Sequence, residues 1–135
     1  MKHLIVLLAP LLLVLCSHAQ TIEAGNHSTK GYIKSNGTIE NSSHSTVGYI
    51  KENGAIENSS HITIGYLKDN GVVENASHST VGYIKKNGTI ENSSHSTIGY
   101  VKENGTVENS SHSTIGYASD VKREWAAVVF FFFKF

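Results

Sequence analysis

The stretch Gly31–Val47 reads GYIKSNGTIENSSHSTV, and it decides the fold because the chain repeats it without insertions. A half copy, Thr21–Lys30, precedes the repeats, and a second half copy occupies residues 116–118. A fixed period predicts a repeat architecture in which every copy meets the same geometric demand. Intact copies cover residues 31–115 and begin, 17 residues apart, at Gly31, Gly48, Gly65, Gly82 and Gly99.

Each repeat is predicted to form a β-hairpin. An Asn-Gly pair lies between two β-favouring segments in all five copies, which is a strong hairpin signal. A three-residue loop, Glu52-Asn53-Gly54 with a left-handed glycine, pairs Ile50 with Ile56 and Tyr49 with Glu57. This register keeps charged and apolar residues on separate faces, so it is preferred to a two-residue loop. The second connection, residues 58–61, reads as a polar turn.

The two faces of the hairpin differ in composition. Gly48, Ile50 and Ile56 are predicted on one face, and Val47 is predicted with Tyr49 on the other, beside Lys51 and Glu57. An isolated hairpin is marginally stable in water, so the copies must cover one another. The repeated glycine before tyrosine predicts a crowded position where another backbone approaches closely.

Two all-β arrangements satisfy this demand. One is a closed, propeller-like ring of hairpins, and the alternative is an open β-hairpin solenoid. The complementary half copies favour closure, because Ser113–Tyr117 supplies a first strand and Thr21–Glu23 a second strand for one more hairpin. A solenoid would instead need polar caps at its ends, whereas residues 126–133 are continuously apolar.

The unit Gly-Tyr-Ile-Lys-x-Asn-Gly-Thr-Ile-Glu-Asn-x-x-His-x-Thr-Ile and the aromatic stretch 124–133 resemble the five-fold β-flower proteins, which are small exported bacterial proteins. The resemblance covers nearly all of residues 20–135. It implies a ring of β-hairpins and no established activity. Five intact units agree with the family's name, but the split unit allows a sixth, so five-fold and six-fold rings both remain open.

The segments that flank the repeats carry separate predictions. Lys2, the apolar run Leu4–Leu15 and Ser17-His18-Ala19 indicate a signal peptide over residues 1–19. The mature chain is then exported to the periplasm, the cell envelope or the medium, without a transmembrane span. Acylation of Cys16 is the lipoprotein alternative, although Leu15 is large for that processing. The repeat domain is residues 20–118, and residues 119–135 are predicted to pack on it or plug it, as a buried strand or otherwise.

Composition excludes several classes of function. Lysine plus arginine and aspartate plus glutamate each total 11, so the basic surface of a nucleic-acid-binding protein is absent. The one cysteine lies in the predicted signal peptide, so the mature chain has no disulfide and no cysteine metal ligand. We therefore predict no nucleic-acid partner and no cofactor.

Histidine and glutamate recur once in every unit. The histidines could converge on a metal in a ring, but their spacing is only that of the repeat, and we favour a structural role in the turn. Six identical Glu–His pairs also argue against a catalytic site, which needs one asymmetric cluster of different groups. No catalytic and no metal-binding residue is predicted. The recurring residues are His27, His44, His61, His78, His95 and His112, each four residues after Glu23, Glu40, Glu57, Glu74, Glu91 and Glu108.

Tyrosine supplies the candidate binding residues. Repeated tyrosines beside asparagine and serine can stack on sugars and bind them multivalently, although packing against the next hairpin is the simpler role. The prediction is a non-enzymatic structural or interaction module of unknown molecular role, with a lectin-like module as the alternative. Candidate partners are a glycan or an envelope protein. The tyrosines are Tyr32, Tyr49, Tyr66, Tyr83, Tyr100 and Tyr117.

Overall fold

The computed structural model describes residues 20–135, and the predicted signal peptide and Cys16 lie outside the described residues. This part of the chain forms twelve antiparallel strands, a short helix α1 (Arg123–Ala127) and one turn of π-helix (Val128–Phe132). The strands are β1 Thr21–Ala24, β2 Thr29–Ile33, β3 Thr38–Asn41, β4 Thr46–Ile50, β5 Ala55–Asn58, β6 Thr63–Leu67, β7 Val72–Asn75, β8 Thr80–Ile84, β9 Thr89–Asn92, β10 Thr97–Val101, β11 Thr106–Asn109 and β12 Thr114–Ala118.

The strands close into a barrel in which every strand pairs with its neighbours in sequence and β1 pairs with β12. At the junction Ile22 lies opposite Ala118 and Glu23 opposite Tyr117. The two half copies therefore form one hairpin from opposite ends of the repeat domain. The closed ring is confirmed and the open solenoid is not supported. Five intact units and the split unit give six two-stranded units around the barrel.

The predicted hairpin geometry is confirmed. Tyr49 pairs with Glu57 and Ile50 with Ile56. Gly54 has a φ of 90°, and its N–H donates to the carbonyl of Lys51 at 2.9 Å. Its own carbonyl accepts the N–H of Leu67 in the next unit at 2.8 Å, so the turn also joins neighbouring units.

The second turn of each unit repeats this geometry with histidine in place of glycine. His61 has a φ of 61°, and its N–H donates to the carbonyl of Asn58 at 3.0 Å. The Asn58 side chain accepts the N–H groups of Ser60 and Ile62, both at 3.0 Å. Histidine is among the few residues other than glycine that enter the left-handed region with some frequency, and the asparagine bonds hold the turn in that shape.

A β-bulge follows this turn in every unit. Ile56 pairs with Gly65 and Glu57 with Thr63, which leaves Ile64 as the extra residue. Such bulges add the bend and twist that closing a sheet requires. They also correct one sequence prediction, because Val47 occupies the same position and packs against the core instead of lying on the outer face.

The core contains one inward aliphatic side chain from nearly every strand, and Ala126, Ala127 and Val128 pack against these side chains. The segment after β12 enters the barrel at the end formed by the Asn-Gly turns, where the Arg123 Nη1 donates to the Lys86 carbonyl at 2.7 Å. The apolar stretch is therefore helical, and the alternative of a buried strand is wrong. Its residues have no alternation of polar and apolar positions to suit a sheet.

Replacing Gly71 tests the turn. Gly71 has a φ of 85°, and a Cβ there would collide with the Ile84 carbonyl of the next unit. We expect Gly71→Val to lower the free energy of unfolding by about 1 kcal/mol or more. Asn70→Asp should be nearly neutral, because a carboxylate can accept the Val72 N–H as the amide does. Urea melts of both variants measure the difference, and equal losses would contradict the turn geometry.

Deleting Thr21–Lys30 tests closure. The deletion removes β1, which bonds to both β2 and β12, together with the first two residues of β2, and exposes two strand edges. We expect a broader, lower thermal transition and oligomers formed through the bare edges. Deleting the internal unit 65–81 should also be costly, because the ring must change curvature. Calorimetry and light scattering provide the measurement, and two monomeric variants with sharp transitions would contradict closure.

Candidate functional site

The outer surface of the barrel carries one side-chain cluster on each unit. In the unit of β4 and β5, Tyr49 and Glu57 lie on paired positions, and His61 follows in the turn. The His61 ring stacks on Tyr49 with centroids 4.3 Å apart and a 14° interplanar angle. The His61 Nδ1 lies 3.1 Å from the Glu57 carboxylate, and the Lys51 Nζ lies 3.9 Å from it. We call this arrangement the outer cluster.

The outer cluster recurs in all six units of the described barrel. Its His–Tyr centroid distances range from 4.1 to 4.3 Å. In the split unit, His27 from β1's turn stacks on Tyr117 from β12, so closure of the ring rebuilds the cluster from distant parts of the chain. This unit has Ser119 where the other five have lysine.

The cluster places the sequence-predicted tyrosines under the histidines. All six tyrosines are half-buried, with one ring face covered by an imidazole. The histidine side chains are about 60% exposed, as for His61 at 59% and His95 at 61%. The flat surface open to solvent in each cluster is therefore mainly the imidazole. The repeat pattern shows that both residues recur, but their contact depends on the left-handed turn at the histidine, which the pattern alone does not specify.

Two of the glutamates are buried and hold their charge through these contacts. Burial raises the pKa of Glu40, but hydrogen bonds from His44 and Lys34 together lower it by more. The pKa of Glu40 therefore lies below its ordinary value. For Glu108 the hydrogen bond from His112 lowers the pKa, with burial opposing and Lys102 assisting. The Lys102 Nζ lies 3.1 Å from the Glu108 carboxylate. Both glutamates are thus charged anchors of their clusters.

The six histidines lie apart from one another in this arrangement. Each histidine is hydrogen-bonded to a glutamate of its own unit, so the imidazoles do not converge on the barrel axis. Residues 20–135 contain no group of three or more histidine, cysteine, aspartate or glutamate side chains arranged to hold a metal ion.

The inner surface has a second repeated feature, which couples the glycines to the C-terminal segment. The glycine before each tyrosine faces the barrel interior, and in five units a phenylalanine ring occupies the space that a Cβ would need. The crowding predicted for this glycine thus comes from an aromatic ring as well as from the neighbouring strand. Gly116, Gly99, Gly82, Gly65 and Gly48 lie against Phe130, Phe131, Phe132, Phe133 and Phe135, respectively.

The barrel of hairpin repeats and the aromatic segment inside it agree with the comparison by family. The family model for the 5-fold beta-flower protein matches residues 19–134. The chain belongs to this family. No curated protein and no solved structure matches it. This β-flower chain has five intact repeats and five phenylalanines, but its ring has six units, because the split unit supplies the sixth.

No helix in residues 20–135 is both long enough and apolar enough to cross a membrane. The longest continuous helical stretch, α1 followed by the π-helix, has ten residues and packs inside the barrel.

The lowered pKa values predict an acid dependence of stability. A group whose pKa is lower in the folded state stabilises the fold above its unfolded pKa, about 4.3 for glutamate, and loses this contribution as the pH falls through the folded pKa. We expect the double variant Glu40→Gln/Glu108→Gln to lose less stability than the wild type as the pH falls from about 5 to about 3. Urea melts across this range measure the slope. Glu103→Gln, on an exposed turn, should keep the wild-type slope; equal slopes in all three proteins would contradict the prediction.

Proposed function

We propose that this β-flower protein is an exported, non-enzymatic interaction module that binds through its repeated outer clusters. The supporting observation is that the same exposed imidazole, stacked on a tyrosine and anchored by a glutamate, recurs six times around a closed barrel. Equivalent weak sites on one rigid support gain strength when a target engages several of them together. A catalytic site needs one asymmetric set of groups with different roles, whereas these six clusters are equivalent to one another.

The sequence supports export, because residues 1–19 have the charge, the apolar run and the small residues of a signal peptide. Mass spectrometry of protein recovered from envelope and medium should find a chain that begins at Gln20. A mass with lipid attached to Cys16 would instead establish the lipoprotein alternative.

The second candidate is a lectin-like module. Stacked aromatic surfaces beside asparagine and serine turns favour it, since a sugar can lie on an aromatic face while neighbouring polar groups bond its hydroxyls. In this arrangement His61 would provide the accessible face and Tyr49 the edge and hydroxyl. A glycan would thus contact histidine as well as the six tyrosines predicted from the sequence.

A co-sedimentation experiment separates the candidates. Labelled mature protein is mixed with washed cell envelopes of the producing organism, before and after protease or periodate treatment of the envelopes. Loss of binding after protease indicates an envelope protein, and loss after periodate, which oxidises sugar diols, indicates a glycan. Absence of saturable binding to untreated envelopes would contradict the interaction module.

Histidine substitutions test the role of the outer clusters in this binding. His→Ala in one, three and all six clusters should weaken binding progressively, and more steeply than one site alone predicts, because avidity is lost. Ser→Ala at the exposed turn residues Ser59, Ser93 and Ser110 is the matched control. Unchanged binding by the six-histidine variant, with its fold verified by circular dichroism, would show that the clusters are not the binding surface.

A further inference from the structure

The inner glycine of the first unit differs from the other five. A Cβ at Gly31 would meet only backbone atoms of Glu40 and Asn41 as its nearest neighbours, whereas at the other inner glycines a phenylalanine ring is among them. The sequence has five phenylalanines for six units, and all five are used elsewhere. In the first unit, no phenylalanine therefore lies beside Gly31 in the position that a phenylalanine ring occupies in the other five units.

A pocket of about 480 Å³ opens at this position. Its walls are mainly apolar, with Ile22, Ile39 and Val47 from the barrel facing the rings of Phe130 and Phe135. This volume lies in the range of about 300–1,000 Å³ that small-molecule sites occupy, and such sites are usually apolar with a few polar groups. The phenylalanine packing in the other five units shows what fits beside an inner glycine of this barrel.

The pocket also departs from the repeat in its charge. Lys30 lines it and stands at the position where the five later units have valine or isoleucine. Lys134, between Phe133 and Phe135, lines it as well. Both lysines are exposed, and neither forms an ion pair within residues 20–135.

Glu40 also lines the pocket, and its backbone carbonyl lies beside Gly31. Its carboxylate is engaged by Lys34 and His44, whose nitrogens each lie 3.3 Å from it. Its charge is thus balanced within its own outer cluster. Among the charged side chains that line the pocket, Lys30 and Lys134 are therefore the two cations that no carboxylate side chain of residues 20–135 engages.

We propose that this pocket binds a small monocyclic aromatic carboxylate. The ring lies against Gly31 as the phenylalanine rings lie against the other five inner glycines, and the carboxylate is bound by Lys30 and Lys134. Aromatic packing supplies contact area and the two ammonium groups supply orientation. This site is on the inner surface, and its lining does not include the exposed imidazoles on which the proposed function rests.

Titration of the ¹⁵N-labelled mature protein with 3-phenylpropionate tests the proposal. Saturable NMR shifts are expected at Gly31, Ile39 and Val47, without comparable shifts at Gly82, where Phe132 already packs. 3-Phenylpropanol should bind about three- to fivefold more weakly, as expected for loss of a partly exposed ion pair, and 3-phenylpropylamine more weakly still. Cyclohexanepropionate should also bind more weakly, because it lacks the flat ring.

Two pairs of variants keep the result interpretable. Lys30→Gln keeps a polar side chain of similar length and should weaken binding of the acid about three- to fivefold without affecting the alcohol, whereas Lys86→Gln should affect neither. Val47→Trp should fill the pocket and abolish binding. Ile115→Trp is its control, because it places the same side chain at the equivalent position of another unit and should leave binding in place. Dispersed NMR spectra establish that each variant is folded before its affinity is compared.

Several outcomes would overturn the proposal. These are the absence of saturable shifts at Gly31 with 3-phenylpropionate, equal binding of the acid and the amine, and unchanged binding by a folded Val47→Trp. A tripeptide ending in phenylalanine tests the other source of the same chemistry. Binding of that peptide without binding of the free acid would replace the small molecule with a peptide terminus.

Discussion

Filling the interior is the constraint on which the rest of this structure depends. A barrel of about eight strands can be filled by its own side chains, and a barrel of twelve has a wider lumen. One aliphatic side chain per strand does not fill this space, so α1 and the π-helix occupy it. Their aromatic rings need room at the wall, and the inner glycines provide it. Glycine in a strand usually weakens the strand, but here its missing side chain is replaced by a phenylalanine from another segment.

The same constraint gives a reason for the π-helix. Units in a six-unit ring lie about 60° apart, whereas successive side chains of an α-helix differ by about 100°. A π-helix has more residues per turn, so consecutive phenylalanines differ by a smaller angle and meet successive units more closely. Phe130 to Phe133 contact the glycines of four consecutive units in this way. At Phe133 the backbone is extended, and the next contact is made two residues later, by Phe135.

The outside of the barrel depends on closure in a different manner. Each outer cluster spans two paired strands and the turn that follows them, so its members come from one repeat in five cases. In the split unit they come from opposite ends of the repeat domain, and the stacking distance of His27 on Tyr117 is nonetheless 4.1 Å. Strand pairing therefore sets the cluster geometry, and an identical local sequence reproduces it around the ring.

The sequence by itself determined the repeat and the hairpin register, because these follow from local turn chemistry. It also favoured closure, through two half copies that complete each other, and the structure decided between the ring and the solenoid. The period of 17 residues, the Asn-Gly turns and the pairing of Ile50 with Ile56 were all readable. Only the tertiary structure decided the number of units in the ring, the inward packing of Val47 at a bulge and the helical form of residues 123–132. It also decided which glycine lacks an aromatic partner. These features arise where the C-terminal segment meets a wall built from all six units, and a contact between such distant residues has no periodic signature in the chain.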